Sequence, residues 1–267
     1  MFVTRLLSGI VLVLAAIILL FYGYVWLVGA LLVLSQIGIY ELLRVFRLDR
    51  HPAALVVYME AAVYYILLYL GHGWWTMGLL VLELVILLVL YVARFPRDRI
   101  DRVAECFFVS VYVPLLLSFI YQTRCLQGGT WLVWLIIIGS WGSDTCAYVV
   151  GVLAGRHHFS ALSPKKTIEG CVGGVVGAAL IGYGFACFFP YQDMFLLSPR
   201  LVFPLVVVIS AVISQFGDLA ASAIKRNYEI KDYGNLIPGH GGVLDRFDSV
   251  IFVAPFVYYL LVLASYI

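Results

Sequence analysis

Apolar residues run almost unbroken from Leu6 to Leu43, twice the roughly 20 residues that one helix needs to cross a bilayer. Tyr22-Gly23-Tyr24 offers an interfacial break inside this run, which predicts helices near 4–21 and 24–44. Later apolar runs, separated by short polar stretches, predict helices near 53–71, 74–93, 103–122, 130–155, 171–189, 200–225 and 247–267. The expected fold is all-α: a polytopic integral membrane protein of about nine transmembrane helices. About five fall in residues 1–129 and about four, with a polar site at their cytoplasmic border, in 130–267, the whole forming one membrane-embedded unit. The run from Gly170 to Gly177, with glycines at positions 170, 173, 174 and 177, predicts close helix–helix packing within the chain rather than a dimer seam, although a homodimer stays open.

Composition sharpens this picture. The 267 residues are 64% hydrophobic and 12% charged, about half the charge of an ordinary soluble domain, and no stretch is polar enough to be a separate soluble domain. A net charge of +2, with its bases at membrane borders, gives no nucleic-acid footprint. The five cysteines (106, 125, 146, 171 and 187) have no metal or disulfide spacing and read as free thiols. The first run lacks a small-residue cleavage site and reads as retained helix rather than signal peptide. On the nine-span reading, one membrane face receives every Lys and Arg except Arg124 and Arg200. The positive-inside rule then puts the N-terminus and the charged loops in the cytoplasm and the C-terminus outside.

Charge returns in one place. Between Asp218 and Asp248 lie five acids (Asp218, Glu229, Asp232, Asp245, Asp248) and four bases (Lys225, Arg226, Lys231, Arg246), interleaved with Gly234, Gly239, Gly241 and Gly242. Carboxylates hold a divalent metal, cations clamp phosphate oxygens, and glycines let backbone N–H groups approach an anion. Asp218, Ser222 and Lys225 share one helical face. An aspartate two turns inside a span must face the bundle interior or a wet cavity; its blander role is an ion pair with Lys225 or Arg226. Asp144 is a second deep acid, on a face with Tyr148, Gly151 and Gly155, and is open to a simple hydrogen bond with Ser140 or Tyr148. Ser163 to Gly170 reads as a turn and helix start with two lysines, Lys165 and Lys166, suited to phosphate. Pro238, Gly239, Gly241 and Gly242 are expected to shape an anion nest before Asp245 and Asp248, which share the first turn of the last helix. Asp218 and Asp245, on neighbouring helices, are the expected Mg2+ ligands. His240 reads as a general base or as a donor to phosphate. Glu60 and Glu83 stand inside spans and suggest polar partners in the bundle.

Ser222 to Asp248 also resembles, position by position, the signature of the phosphatidate cytidylyltransferases (CDP-diacylglycerol synthases). Ser222, Lys225, Arg226, Lys231, Asp232, Pro238, His240, Gly241, Gly242, Asp245, Arg246 and Asp248 are the matching positions. Upstream, Ser143 to Tyr148 and Ser163 to Gly170 are similar to further family elements, in the same order. The resemblance implies Mg2+-dependent transfer of CMP from CTP to phosphatidic acid, giving CDP-diacylglycerol and pyrophosphate in phospholipid biosynthesis, at a bacterial-type inner membrane. It implies catalytic roles for Asp218, Asp245, Asp248 and Lys225, with Asp144 beside the metal. Lys165, Lys166, Arg226 and Arg246 would divide between the phosphates of CTP and the phosphatidate headgroup, with Ser222, Lys231, His240, Gly241 and Gly242 lining the substrates. Two other activities suit the same residues: a CTP-dependent polyprenol or phytol-type lipid kinase, and a secondary transporter for an anionic solute. Crowding of polar residues into the C-terminal half weighs against the transporter.

Overall fold

A computed structural model of the chain describes residues 2–158, 162–163, 166–190, 194–195, 197–237 and 241–266. Among these residues there are helices and two isolated bridges but no strands. We number the helices α1 (Phe2–Tyr22), α2 (Tyr24–Val45), α3 (Pro52–Tyr69), α4 (Thr76–Ala93), α5 (Ile100–Cys125), α6 (Gly129–Ala154), α7 (Ile168–Cys187), α8 (Pro199–Asn227) and α9 (Leu244–Tyr266). Eight of them, α2 to α9, are long and apolar enough to cross a membrane, and the described part of α1 adds an apolar stretch, Val13–Tyr22. The break between α1 and α2 falls at Gly23, whose φ of 63° and ψ of −153° belong to a region that a residue with a Cβ strongly disfavours.

The helix starts have local causes. His51 caps α3 by accepting from the Ala53 N–H, with Pro52 at the first helical position. Thr167 caps α7 by accepting from the Gly170 N–H at 3.1 Å. Two ends, those of α2 and α8, close with a pair of backward hydrogen bonds around a left-handed residue. Arg47 (φ 60°) and Glu229 (φ 55°) take the position that glycine usually fills.

The chain divides into two compact units: Met1–Tyr121 with Asp232–Asp245, and Gln122–Lys231 with Arg246–Ile267. Residues 232–245, numerically inside the 130–267 region, thus belong with the N-terminal helices.

In the first unit α2, α3 and the start of α5 bury Leu31, Ile39, Leu42, Val57, Ala61, Tyr65 and Val113. Several polar groups there are partnered, as hydrocarbon surroundings favour, although Glu60 Oε2 and Glu83 Oε2 are buried without a hydrogen-bond partner among the described residues. A π-turn at Val111–Leu115 carries Pro114, whose carbonyl accepts from Tyr65 Oη at 3.0 Å, while Tyr65 Oη lies 2.9 Å from Ser35 Oγ. Ser110 donates to Glu83, one polar partner of the kind expected for the intramembrane acids. Outside the spans, Asp98 is gripped by Arg94 Nε (2.6 Å), Arg102 Nη1 (2.5 Å) and His51 Nε2 (2.8 Å). Burial pushes the Asp98 carboxyl up, but hydrogen bonds and charge from Arg94 and His51 outweigh it and hold the group below its ordinary value.

In the second unit α7 lies against α6 along the expected glycine face. A Cβ on Gly173 would meet Val150 at 2.5 Å, one on Gly174 the Ser143 carbonyl at 2.9 Å, and one on Gly177 Cys146 at 2.7 Å. The intrachain packing reading therefore holds. Gly139, in a π-turn at Ile138–Gly142, brings α6 against Ser210 of α8, where an added Cβ would sit 2.6 Å away.

Candidate active site

Close packing sets the position of Asp218. Its neighbour Gly217 is buried, and a Cβ there would lie 3.0 Å from both the Asp248 carbonyl and Phe252. Without that side chain, α8 approaches α9 and its half-buried Asp218 comes within electrostatic reach of the buried Asp248. Asp144, in the first turn of the α6 segment that follows the π-turn, joins them. Its Oδ2 accepts from Ser249 Oγ at 3.4 Å, and both Asp218 and Asp248 influence its charge or are influenced by it. The expected bond from Asp144 to Ser140 or Tyr148 is replaced by this one: Ser140 Oγ donates instead to the Ile136 carbonyl, and Tyr148 is 73% exposed.

Two lysines face the three aspartates. Lys166 Nζ is 2.6 Å from Asp218 Oδ2, and the pair is about three-quarters buried, at 25% and 27% side-chain exposure. Lys166 also acts on Asp144, and Lys225 acts on Asp248. The local partner expected for Asp218, Lys225 or Arg226 one or two turns along α8, is thus not the ion pair that forms. Lys166 comes from the segment before α7, held by Thr167 and by Glu169, whose Oε2 accepts from the Arg156 and His157 N–H groups at 3.1 and 3.2 Å. Arg246 keeps a buried Nε without a hydrogen-bond partner among the described residues, while its carbonyl accepts from Trp141 Nε1 at 3.3 Å. Ser222 is half-buried on the Asp218 face; Arg226 and Lys231 are exposed.

These residues suit a hard divalent cation. The donors are all carboxylate oxygens and outnumber the lysines, and Mg2+ characteristically takes one or two carboxylates and completes its shell with water and substrate phosphate. Among the described residues, no three His, Cys, Asp or Glu side chains are gathered tightly enough to hold a metal unaided.

Asp245 is described in the first unit, and its surroundings differ. Its Oδ2 accepts from the Tyr233 N–H at 2.8 Å and the Gly242 N–H at 2.9 Å. Gly241, at φ 85°, passes so close that a Cβ would lie 2.9 Å from the same oxygen. The next two N–H groups are also taken: Val243 N and Leu244 N donate to Glu41 Oε1 and Oε2, each at 2.9 Å. The described part of the expected anion nest is therefore filled by the protein's own carboxylates, which changes the nest reading. Backbone donors at a helix start satisfy whichever anion is nearest, and here that is Glu41. The reading of residues by motif missed Glu41; an acid in the otherwise apolar I-G-I-Y-E-L-L is the signal that marks it. Lys165, Pro238, Gly239 and His240 lie outside the described residues.

Known proteins resemble part of this chain. A Bacillus subtilis (strain 168) protein named phosphatidate cytidylyltransferase is 37% identical over 169 residues, 62% of this chain and 60% of its own length. A Staphylococcus epidermidis (strain ATCC 12228 / FDA PCI 1200) protein of the same name is 34% identical over 187 residues, 69% of this chain and 68% of its own. One from Synechocystis sp. is 43% identical over 125 residues, 46% and 40% of the two chains. The chain thus spans about three-fifths of the length of the first of these relatives. A model of the cytidylyltransferase family, by contrast, matches residues 3–264. With that match running through Asp144, Lys166, Asp218 and Asp248 alike, the chain belongs to the cytidylyltransferase family.

Proposed function

We propose that the protein is a phosphatidate cytidylyltransferase: it joins CTP and phosphatidate to give CDP-diacylglycerol and pyrophosphate. The observation that carries this reading is the gathering of Asp144, Asp218 and Asp248 with Lys166 and Lys225 inside a membrane-spanning member of the family. Relatives named for this activity support it.

In this reaction a phosphatidate oxygen attacks the α-phosphorus of CTP, the new P–O bond forms, and the bond to the β-phosphate oxygen breaks as pyrophosphate leaves. Positioning and charge neutralisation dominate such chemistry. The attacking phosphate is largely ionised at neutral pH, so no general base is needed. Lys166, Lys225 and Arg246 hold phosphate oxygens, Arg246 through the Nε that lacks a partner among the described residues. Ser222 and Arg226 are assigned to substrate on their place beside Lys225. We propose Mg2+ as the cofactor, held by Asp218 with Asp248 and Asp144; when bound it supplies charge neutralisation at the reacting phosphates. The expectation that Asp245 shares this ion rests on its signature position alone. The charge bias of the loops supports an inner-membrane location with these residues on the cytoplasmic side, where water-soluble CTP and a leaflet-bound lipid both have access.

The test is an assay of purified protein in detergent with phosphatidate and Mg2+, run once with α-labelled and once with γ-labelled CTP. Label moving from the α position into lipid, with γ label released as pyrophosphate, is the expected result. Label moving from the γ position into lipid marks a kinase, and no transfer from either, with Mg2+ and lipid varied, overturns the enzymatic reading.

A further inference from the structure

Glu41 stands in α2, about 200 residues from the segment it touches, and is 3% exposed. Both of its carboxylate oxygens are used: Oε1 by Val243 N–H and Oε2 by Leu244 N–H, each at 2.9 Å. Two glycines make room for them. A Cβ on Gly234 or on Gly242 would lie 2.4 Å from Glu41 Oε1, closer than non-bonded atoms approach. One turn along α2, Arg44 Nη2 donates to the Tyr233 carbonyl at 3.3 Å. The N–H of the same Tyr233, and that of Gly242, donate to Asp245 Oδ2. Residues 233 and 242–245 are thus bound to one another and to α2 by five hydrogen bonds, two accepted by the Glu41 carboxylate and two by Asp245 Oδ2.

This is more than a helix cap. An ordinary cap comes from the residue just before the helix, whereas Glu41 comes from another helix and takes donors that would otherwise face water or an anion. Burying a carboxylate is costly unless it is well hydrogen-bonded, and here the bonds fix the backbone on either side of Gly242 and so the direction of Asp245.

We propose that Glu41 is a positioning residue for the proposed cytidylyl transfer: it acts as a built-in anion that holds residues 241–245, and through them Asp245, in the working arrangement. The inference rests on the functional reading above and is separable from it. The experiment compares wild type, Glu41→Gln and Gly234→Ala by α-labelled CTP kinetics and by amide hydrogen exchange of the 241–248 peptide. In Glu41→Gln, kcat should fall about 10–100-fold, the size of effect seen when a support to a working group is lost. The KM for CTP should stay within about threefold, with faster exchange confined to 241–248. Gly234→Ala, which keeps the carboxylate but crowds it, should act in the same direction even if the first variant folds poorly. Combined with Glu41→Ala it should do no further harm, since two changes acting through one contact are not additive. A kcat within twofold of wild type, unchanged exchange at 241–248, or additive losses would overturn the proposal. If the wild type itself moves no label from the α position, the functional reading fails, while the exchange data still decide whether Glu41 holds the segment.

Discussion

Around Asp98 three side chains, Arg94, Arg102 and His51, converge on one carboxylate whose side chain is 3% exposed. Around Asp218 the balance is reversed: among the described residues three carboxylates face two lysines. The first arrangement has more donors than it needs, is complete without any ligand, and ties the loop before α3 to the end of α4 and the start of α5. Among the described residues, the second has more carboxylates than lysines. Carboxylates in excess within a membrane protein are tolerated where a cation or a wet cavity receives them. The pair of sites contrasts one residue type saturated by donors, where it braces, with the same type in excess over lysines among the described residues, where a cation can be received.

The largest break in this contrast should come from Asp218→Asn. We expect turnover to fall by about 10²–10³-fold or more, as when a group stabilising charge in the transition state is lost, with the protein still monodisperse in detergent. Near-normal activity would remove Asp218 from the site. Asp245→Asn sharpens the point, because an amide oxygen can still accept from Tyr233 and Gly242. If the charge of Asp245 matters to the metal, activity should collapse while exchange at 241–248 stays slow.

Lys166→Met should come next. Loss of one charge-assisted contact is worth about 1.5–3 kcal/mol, so kcat/KM should fall roughly 10–100-fold, with a sharper dependence on Mg2+ as Asp218 loses its partner. An unchanged Mg2+ titration would mean that Lys166 and the metal do not share Asp218.

Asp98→Asn should leave kcat untouched and lower the thermal midpoint near neutral pH. The carboxyl is held below its ordinary value of 3.8, so its stabilising effect is fully present above that pH and is lost as pH falls through the lower folded value. The gap between wild type and variant should therefore close as pH drops below about 3.8. A gap that persists there would assign the effect to packing rather than charge. The smallest effect belongs to neither site: Glu229→Gly and Arg47→Gly, each relieving a left-handed residue at a helix end, should stabilise by about 1 kcal/mol, read in thermal unfolding.

Much of the fold was legible because hydrocarbon imposes a simple pattern. The break at Gly23, a helix start between Ser163 and Gly170 and the glycine face of α7 followed from residues next to one another in sequence, although the apolar pattern put that span a few residues later, near 171. The last helix begins at Leu244 with Asp245 in its first turn, as the two acids suggested; what periodicity cannot see is that Glu41, from another helix, accepts from Val243 N–H and Leu244 N–H at that start. The same limit applies to the site. Asp218 was placed by its cost in lipid, but its partner Lys166 is 52 positions away, and helical spacing proposes only neighbours three to seven residues along. Motif spacing likewise gathered Asp245 with Asp218 as a metal pair, whereas the described surroundings of Asp245 are backbone donors.

The long sequence distance between Glu41 and its donors also orders events during synthesis. Some 202 residues separate Glu41 from Val243, so at about 5–20 residues per second a ribosome needs roughly 10–40 s to supply them after α2 has been made. Through that interval the nascent chain holds a carboxylate near the end of a span with neither of its two final donors in existence. Any chain stopped before residue 243 keeps it that way. An unfinished copy of this protein therefore carries a carboxylate without the two backbone donors that the finished copy gives it.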